Sequence, residues 1–366
     1  MKVGYLISTL ENCGPVNILY NIVKYLDKSK FEPIIITLSP ENAKTRIHDF
    51  EALGIKVIPL NLSRVEGIFK ARQKVKELVA KHKIQILHGQ SFRADKIIAN
   101  VKSVKTVNTI HNYPFLDFVM TYGKVMGTVM AWQHTQTIKK LDVPIACSKS
   151  VAKLFNKNKG LKLKSIQNGV DTEVFHPIQE NEKVQIRQKL DLSVNKKIFL
   201  VVGVLTGRKD PLTIIEAFNK RNQNDEILLF FGEGDLDSEC KKSAQNRNII
   251  FKGRVNNVSE YLQAADYYIS AALAEGLPNT VLEALATGIP TVLSAIGPHE
   301  EIVGYENSLQ PFLFEPGNAV ALNESIEGTL HEDIQSLKGK ALALIREHLS
   351  ADKMTKQYEA VYESLG

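Results

Sequence analysis

Short runs of β-branched and aromatic residues alternate with amphipathic segments along the whole chain, and this alternation leaves few folds open. In the first half "KVGYLIS", "EPIIITLS", "KVIPL", "QILHGQ", "TVNTIHN" and "VPIACS" read as strands. Between them "GPVNILYNIVKYL", "RVEGIFKARQKVKELVAKH" and "ADKIIANVK" read as helices. The second half repeats the scheme: strands "IFLVVGVL", "EILLFFG", "NIIFKG", "YYISAAL" and "PTVLSAI", helices "PLTIIEAFNK", "SECKKSAQN", "VSEYLQAA" and "NTVLEALATG". These strands are apolar throughout rather than on alternate residues, so both faces are covered, as in parallel α/β sheets. A chain of 366 residues exceeds what one core supports. The expectation is an α/β protein with two doubly wound parallel-sheet domains facing across a cleft, separated by the polar stretch "HPIQENEKVQIRQKLDL" at 176 to 192. Ligands of such sheets bind at the carboxyl ends of the strands.

Charge is divided between the halves. Residues 1 to 200 carry 32 Lys and Arg against 16 Asp and Glu, a net of +16, whereas residues 201 to 366 carry 14 against 24, a net of −10. A basic half suits an anionic membrane surface, an acidic small molecule or nucleic acid; a solvated surface is the plain alternative. Cys13, Cys147 and Cys240 form no C-x-x-C pair, so neither a disulfide framework nor a zinc site is signalled, and a reducing, cytoplasmic setting is expected. "MKVGYLISTL" is too weak for a signal peptide and too short to span a bilayer.

The candidate site residues follow the strands. After "IFLVVGVL", Arg208 and Lys209 stand before a helix that Pro211 can start, where adjacent cations and the helix dipole suit a pyrophosphate. After "EILLFFG", Gly232 and Gly234 allow a sharp turn or close approach to a ligand, and Asp235 and Asp237 form a D-x-D. That D-x-D reads either as a metal-nucleotide site or, the preferred account, as capping by Asp237 and Ser238, since two cations neutralise a diphosphate without a divalent ion. After "YYISAAL", Glu275 precedes the turn Gly276 to Asn279, and Asn279 or Thr280 is the expected N-cap of a helix carrying Glu283. Two carboxylates there can accept hydrogen bonds from paired hydroxyls, although Glu283 also stands near a capping-box position. His88 and His111 each end an expected strand, where an imidazole can face a ligand or serve only its own loop.

Together these segments resemble the retaining glycosyltransferases of the group 1 type, which have the GT-B fold of two Rossmann-like domains. "EGLPNTVLEALATGIPTVLS" resembles their E-x(7)-E signature; "NCGPVNILYNIVKYL" is similar to their N-terminal loop and first helix, with Pro15 in place of a glycine. "TIHN", "ACSKS", "IQNGVD", "VVGVLTGRKDPLTIIEAF", "FFGEGDL" and "FKGRVNNVSEYLQAADYYIS" follow in the family's order over nearly the whole chain.

The resemblance implies an acceptor-binding domain at 1–178, a nucleotide-sugar-binding domain at 179–350, and a C-terminal helix at 351–366 packing back on the first. It implies that Arg208 and Lys209 bind the diphosphate and stabilise its departing charge, and that Glu275 holds donor-sugar hydroxyls. Gly276, Leu277, Pro278, Asn279 and Thr280 would surround sugar and phosphate, Glu283 would accept from the ribose, and Gly203 and Gly232 would line the donor. Gly253, Arg254 and Val255 would meet the base, while Gly14 and His111 would contact sugar and acceptor. The implied reaction is transfer with retention from a nucleotide-sugar, UDP-linked, to a glycan or polyprenyl-diphosphate-linked acceptor in cell-surface polysaccharide synthesis. No cofactor, no metal and no nucleic acid are expected, and front-face attack is the expected route because no carboxylate of the first domain matches a glycosidase-type nucleophile. Two rivals are a nucleotide-sugar epimerase on the same fold and a non-catalytic partner subunit. The segments "RVEGIFKARQKVKELVAKHK" and "FLDFVMTYGKVMGTVMAWQH" read either as a surface resting on the inner face of the cell membrane or as ordinary helix packing.

Overall fold

The computed structural model describes residues 1–221 and 223–366. It divides into one compact unit of Met1–Gly169 with Ala351–Gly366 and a second of Val170–Ser350.

The first unit holds seven parallel strands: β1 (Lys2–Ile7), β2 (Glu32–Thr37), β3 (Lys56–Pro59), β4 (Ile86–Gly89), β5 (Lys105–Ile110), β6 (Val143–Ala146) and β7 (Lys164–Ser165). Their order is β3-β2-β1-β4-β5-β6-β7, so direction of travel reverses between β1 and β4. Five of six residues of β1 are buried, as are five of six of β2, which is why the strands read as unbroken apolar runs. One face packs Val3, Tyr5, Ile7 and Ile35 against Ile18, Leu19 and Ile22 of the Gly14–Tyr25 helix and Met354, Tyr358 and Tyr362 of the Ala351–Glu363 helix. The other packs Leu6, Ile34, Ile36 and Leu87 against Ala71, Val75 and Val79 of the Arg64–His82 helix. Each fully buried large side chain contributes about 1.5–3 kcal/mol. A capping box of Ser63 and Glu66 starts the Arg64–His82 helix, and Lys83, at φ 54°, ends it.

Beyond β5 the chain forms a hairpin of two helices, Pro114–Tyr122 and Lys124–Ile138. Gly127 lets them touch, since a Cβ there would lie 2.3 Å from the Phe118 carbonyl oxygen. Leu116, Met120, Tyr122, Val125, Met126, Val129 and Trp132 stay exposed on this hairpin, Val125 to 80%. Phe92 packs on Phe118 and His134 of the hairpin, while the adjacent Arg93 donates to the Ser63 carbonyl at the start of the Arg64–His82 helix. Val65, Ile68 and Phe69 of that helix are exposed as well. Among the described residues no helix is long and apolar enough to cross a membrane.

The second unit holds six parallel strands: β8 (Lys197–Val202), β9 (Glu226–Phe231), β10 (Ile249–Gly253), β11 (Tyr267–Ser270), β12 (Thr291–Ser294) and β13 (Leu313–Phe314), ordered β10-β9-β8-β11-β12-β13. Here the reversal falls between β8 and β11. The polar stretch at 176 to 192 is no free linker. It folds into the helix Glu180–Lys189, whose buried Arg187 donates to the Ala264 carbonyl at 2.9 Å and to Asp266 at 2.6 Å. Asp266 also accepts from Lys183 and from the backbone of Ile198, so these bonds draw the segment into the second unit, which begins at Val170.

Candidate active site

In the second unit the expected residues converge at the carboxyl ends of β8 and β11, the two strands at which the order reverses. Arg208 and Lys209 lie in the loop after β8, and Pro211 is the first residue of the helix Pro211–Lys220. Its N-cap is Asp210, held at φ 47°, whose carboxylate accepts from the Thr213 backbone and, at 2.6 Å, from the Thr213 hydroxyl. A non-glycine residue in the left-handed region is a strained element of the kind that occurs where a loop is shaped for function.

Glu275 follows β11, and its side chain is only 7% exposed. Arg208 Nη1 donates to Glu275 Oε2 at 2.8 Å and to the Ala274 carbonyl at 2.8 Å, while Lys209 Nζ bonds Glu275 Oε1. The Leu273 backbone N–H closes the contact by donating to the Arg208 carbonyl at 2.8 Å. Burial alone would raise the Glu275 pKa, but Lys209 and Arg208 overcome it and hold the group down at about 2. The cluster therefore carries two positive charges and one negative, leaving a net cation for an anionic ligand.

Glu283 sits inside the helix Asn279–Thr287 and is buried. Burial pushes its pKa up to about 7, with the Lys209 charge pulling the other way. The expected capping differs here. Pro278 is the N-cap, with no side-chain cap bond; Asn279 and Thr280 are helical, and the Thr280 hydroxyl instead accepts from Tyr268 at 2.8 Å. The rigid proline presets the entry to the helix, and the buried Gly276, Leu277 and Pro278 form the turn before it. In the D-x-D loop likewise Leu236 is the N-cap of Asp237–Ser243, not Asp237 or Ser238; Asp237 is the first helical residue and pairs with Lys241 at 2.7 Å.

Gly232 is set by backbone crowding, whereas a Cβ on Gly203 would meet only the Lys209 side chain, at 3.4 Å. Gly203 N–H donates to the Phe231 carbonyl at 2.9 Å, and a Cβ on Gly232, at φ +136°, would stand 1.8 Å from the Gly203 oxygen. Gly253, at φ 68°, closes β10, and the neighbouring Arg254 is exposed at that end of the sheet, beyond β9 from the ion cluster.

One residue that the sequence reading passed over belongs with this group. His299, fully buried in the helix Gly297–Val303 after β12, donates from Nδ1 to the Ser294 carbonyl at 2.8 Å, and its Nε2 has no partner among the described residues. Burial pushes its pKa down to about 4, against the Ser294 bond and the charge of Glu275, with Lys209 reinforcing the fall. The signal was present: "IGPHEE" places a histidine after a strand, as "TIHN" does.

In the first unit Gly14 opens the helix Gly14–Tyr25 after β1, and Pro15 occupies its first turn, where a missing N–H costs no helical bond. His111 directly follows β5; its Nε2 lies 3.1 Å from Gln90 Oε1, and burial pushes its pKa down to about 4. His88 does not end a strand but sits buried within β4, bonded to Tyr362, Thr109 and Gln90. A cavity of about 480 Å³ lined by Gln85, Lys102, Lys105, Lys140 and Asp142 opens at the amino ends of β4 and β5 and contains none of the expected residues.

Comparisons with known proteins agree with this architecture. Residues 182–342 match the family model "Glycosyl transferases group 1", and residues 13–174 match "Glycosyltransferase Family 4". The chain is 28% identical over 288 residues to the UDP-Gal:alpha-D-GlcNAc-diphosphoundecaprenol alpha-1,3-galactosyltransferase of Escherichia coli, covering 72% of this chain and 70% of that protein. It is 23% identical to the O-antigen biosynthesis glycosyltransferase WclY of Escherichia coli over 100% of this chain and 99% of the relative. Among solved structures, Anabaena Alr3699/HepE in complex with UDP-glucose superposes with a TM-score of 0.83 at 19% identity, covering all of both chains. Sucrose-phosphate synthase from Thermosynechococcus elongatus superposes with a TM-score of 0.83 at 16% identity, covering 100% of this chain and 98% of that one. Two family models that between them take in most of the chain, and a fold shared along its whole length, make it a member of the group 1 glycosyltransferases with the GT-B fold.

Proposed function

We propose that the protein transfers a sugar from a UDP-sugar, with retention and without a metal, to a glycan or polyprenyl-diphosphate-linked acceptor in cell-surface polysaccharide synthesis. The observation that carries this reading is the Arg208, Lys209 and Glu275 cluster at the strand-order reversal. Its net positive charge beside the Pro211–Lys220 helix start suits a diphosphate, and two fixed cations supply the charge stabilisation that a leaving nucleoside diphosphate needs. Glu275 keeps both cations in place and retains lone pairs for sugar hydroxyls. Glu283 accepts from the ribose, and Gly276 to Thr280 enclose the sugar and phosphate. The acceptor belongs to the first unit, where His111 contacts it. Attack comes from the face that the diphosphate leaves, its oxygen taking the acceptor proton.

The names of two relatives support the acceptor class: one acts on a diphosphoundecaprenol-linked sugar and the other in O-antigen biosynthesis. A lipid-linked acceptor suits an enzyme working at the cytoplasmic face of the membrane. The exposed apolar hairpin, in which Asp117 and Lys124 are the sole Asp, Glu, Lys or Arg of residues 114 to 138, supports peripheral attachment through the first unit.

The deciding experiment is a donor screen that detects released UDP and transferred product with lipid-linked acceptors, repeated with Lys209→Ala. Turnover at saturating donor is expected to fall by about 10²–10³-fold. Near-normal turnover of that variant would remove the diphosphate assignment, and an isomerised donor without transfer would replace the reading by an epimerase.

A further inference from the structure

Tyr362, His88, Gln90 and His111 form an unbroken hydrogen-bonded line in the first unit, from the C-terminal helix to the end of β5. The Tyr362 hydroxyl lies 2.7 Å from His88 Nδ1, the Gln90 amide nitrogen 3.2 Å from His88 Nε2, and Gln90 Oε1 3.1 Å from His111 Nε2. Thr109 Oγ1 supports the middle at 2.9 Å from His88 Nε2, and the Tyr5 hydroxyl reaches that of Tyr362 at 3.2 Å. His88, Gln90 and Thr109 are at most 1% exposed. Burial pushes the pKa of His88 to about 3 and that of His111 to about 4, so at neutral pH each ring holds a single proton.

The chemistry of Gln90 couples those two protons. A primary amide has one carbonyl, which only accepts, and one NH₂, which only donates. Because Gln90 turns one end to each Nε2, one of these nitrogens must be a donor and the other an acceptor. The two imidazoles are bound to opposite tautomers.

We propose that Gln90 is a positioning residue that locks His111 as its Nε2–H tautomer and His88 as its Nδ1–H tautomer, so that the ring of His111 offers a bound sugar one acceptor, the Nδ1 lone pair. The bonds then run in one direction: His111 Nε2–H donates to Gln90 Oε1, the Gln90 NH₂ donates to His88 Nε2, and His88 Nδ1–H donates to Tyr362. Reversing any one bond requires reversing all three. The C-terminal helix, 274 residues from His88 along the chain, thereby forms the far anchor of the line that orients His111. The sugar hydroxyl is the partner under the reading of His111 given above; the tautomer lock follows from Gln90 itself.

Two-bond ¹H–¹⁵N correlation spectra of the full chain, labelled at histidine and recorded at pH 7, test the lock directly. His111 is expected to show the Nε2–H pattern and His88 the Nδ1–H pattern. The same tautomer in both rings, or the reversed pair, would overturn the proposal. In Gln90→Leu, His111 is expected to lose its single tautomer, and KM for the acceptor to rise about tenfold with a smaller change in kcat, the cost of one weakened hydrogen bond. Gln90→Glu keeps the size of the side chain and offers acceptors on both sides, so the His111 titration is expected to move upward. A His111 spectrum unchanged in both variants would show that Gln90 does not position it. Spectra as expected with unaltered kinetics would leave the lock standing and count against His111 as a sugar contact.

Discussion

Arg208 Nη1 donates to Glu275 Oε2 over 2.8 Å and so joins the loop after β8 to the loop after β11, where the strand order reverses. Together with Lys209 it holds the Glu275 carboxyl at about 2, below its ordinary 4.5. A depressed carboxylate contributes stability that is present above its ordinary value and lost as the pH falls through the folded one. Glu275→Gln is expected to unfold with about 3 kcal/mol less free energy at pH 7, the difference shrinking between pH 4.5 and 2. Two unneutralised cations should also bind UDP at least as tightly while turnover collapses. Calorimetry alongside initial rates checks this, and weaker UDP binding would contradict the net charge assigned to the cluster.

Glu283 titrates in the opposite sense. Its folded value of about 7 lies above the ordinary 4.5, so its contribution is complete below pH 4.5 and is lost as the pH rises through 7. Glu283→Gln should therefore gain on the native protein above neutral pH, by about 3 kcal/mol at most, in denaturant titrations across pH 5 to 8. If ribose hydroxyls donate to Glu283, they favour its ionised form, and UDP binding near pH 6.5 should release a proton. Calorimetry in buffers of different ionisation enthalpy reads that proton; uptake would remove the ribose assignment.

Gly232 separates a structural from a ligand-binding glycine. A Cβ there would sit 1.8 Å from the Gly203 carbonyl oxygen at a φ of +136°, which only glycine adopts without strain. Gly232→Ala should lose more than about 2 kcal/mol of stability or fail to accumulate as folded protein. An unchanged melting temperature with a raised donor KM would instead make it purely a ligand contact.

The apolar hairpin offers Val125, Met126 and Trp132 at its surface. Replacing all three by serine should reduce sedimentation with vesicles of anionic lipid about tenfold or more, through the lost apolar area, with little change in stability, since none is buried. Activity on a short water-soluble acceptor should persist while activity on a lipid-linked one falls. Vesicle binding by the variant equal to that of the native chain would exclude this face.

Much of the architecture was legible because it is encoded locally. The unbroken apolar strands announced parallel sheets, Pro211 announced a helix start, and looking after strands singled out Arg208, Lys209 and Glu275, which the fold brings into contact. Helix capping was less legible. Pro278 and Leu236 hold the N-cap positions expected of Asn279 or Thr280 and of Asp237 or Ser238, because loop geometry placed a polar side chain one residue too late. The stretch at 176 to 192, expected to separate the two domains, is bound into the second unit by the buried Arg187 through its bond to Asp266.

Sequence alone determined the element types, the parallel sheets and the family, since periodicity and motif order depend on neighbouring residues. Tertiary structure decided the charges. Lys209 and Glu275 are 66 residues apart, and their pairing depends on β8 lying next to β11. The same holds for the opposite titration of Glu275 and Glu283, two glutamates that look equivalent in the sequence. One has cations at both oxygens; the other is buried with only the distant pull of Lys209, and desolvation is decided by what the fold packs around a group rather than by the group itself.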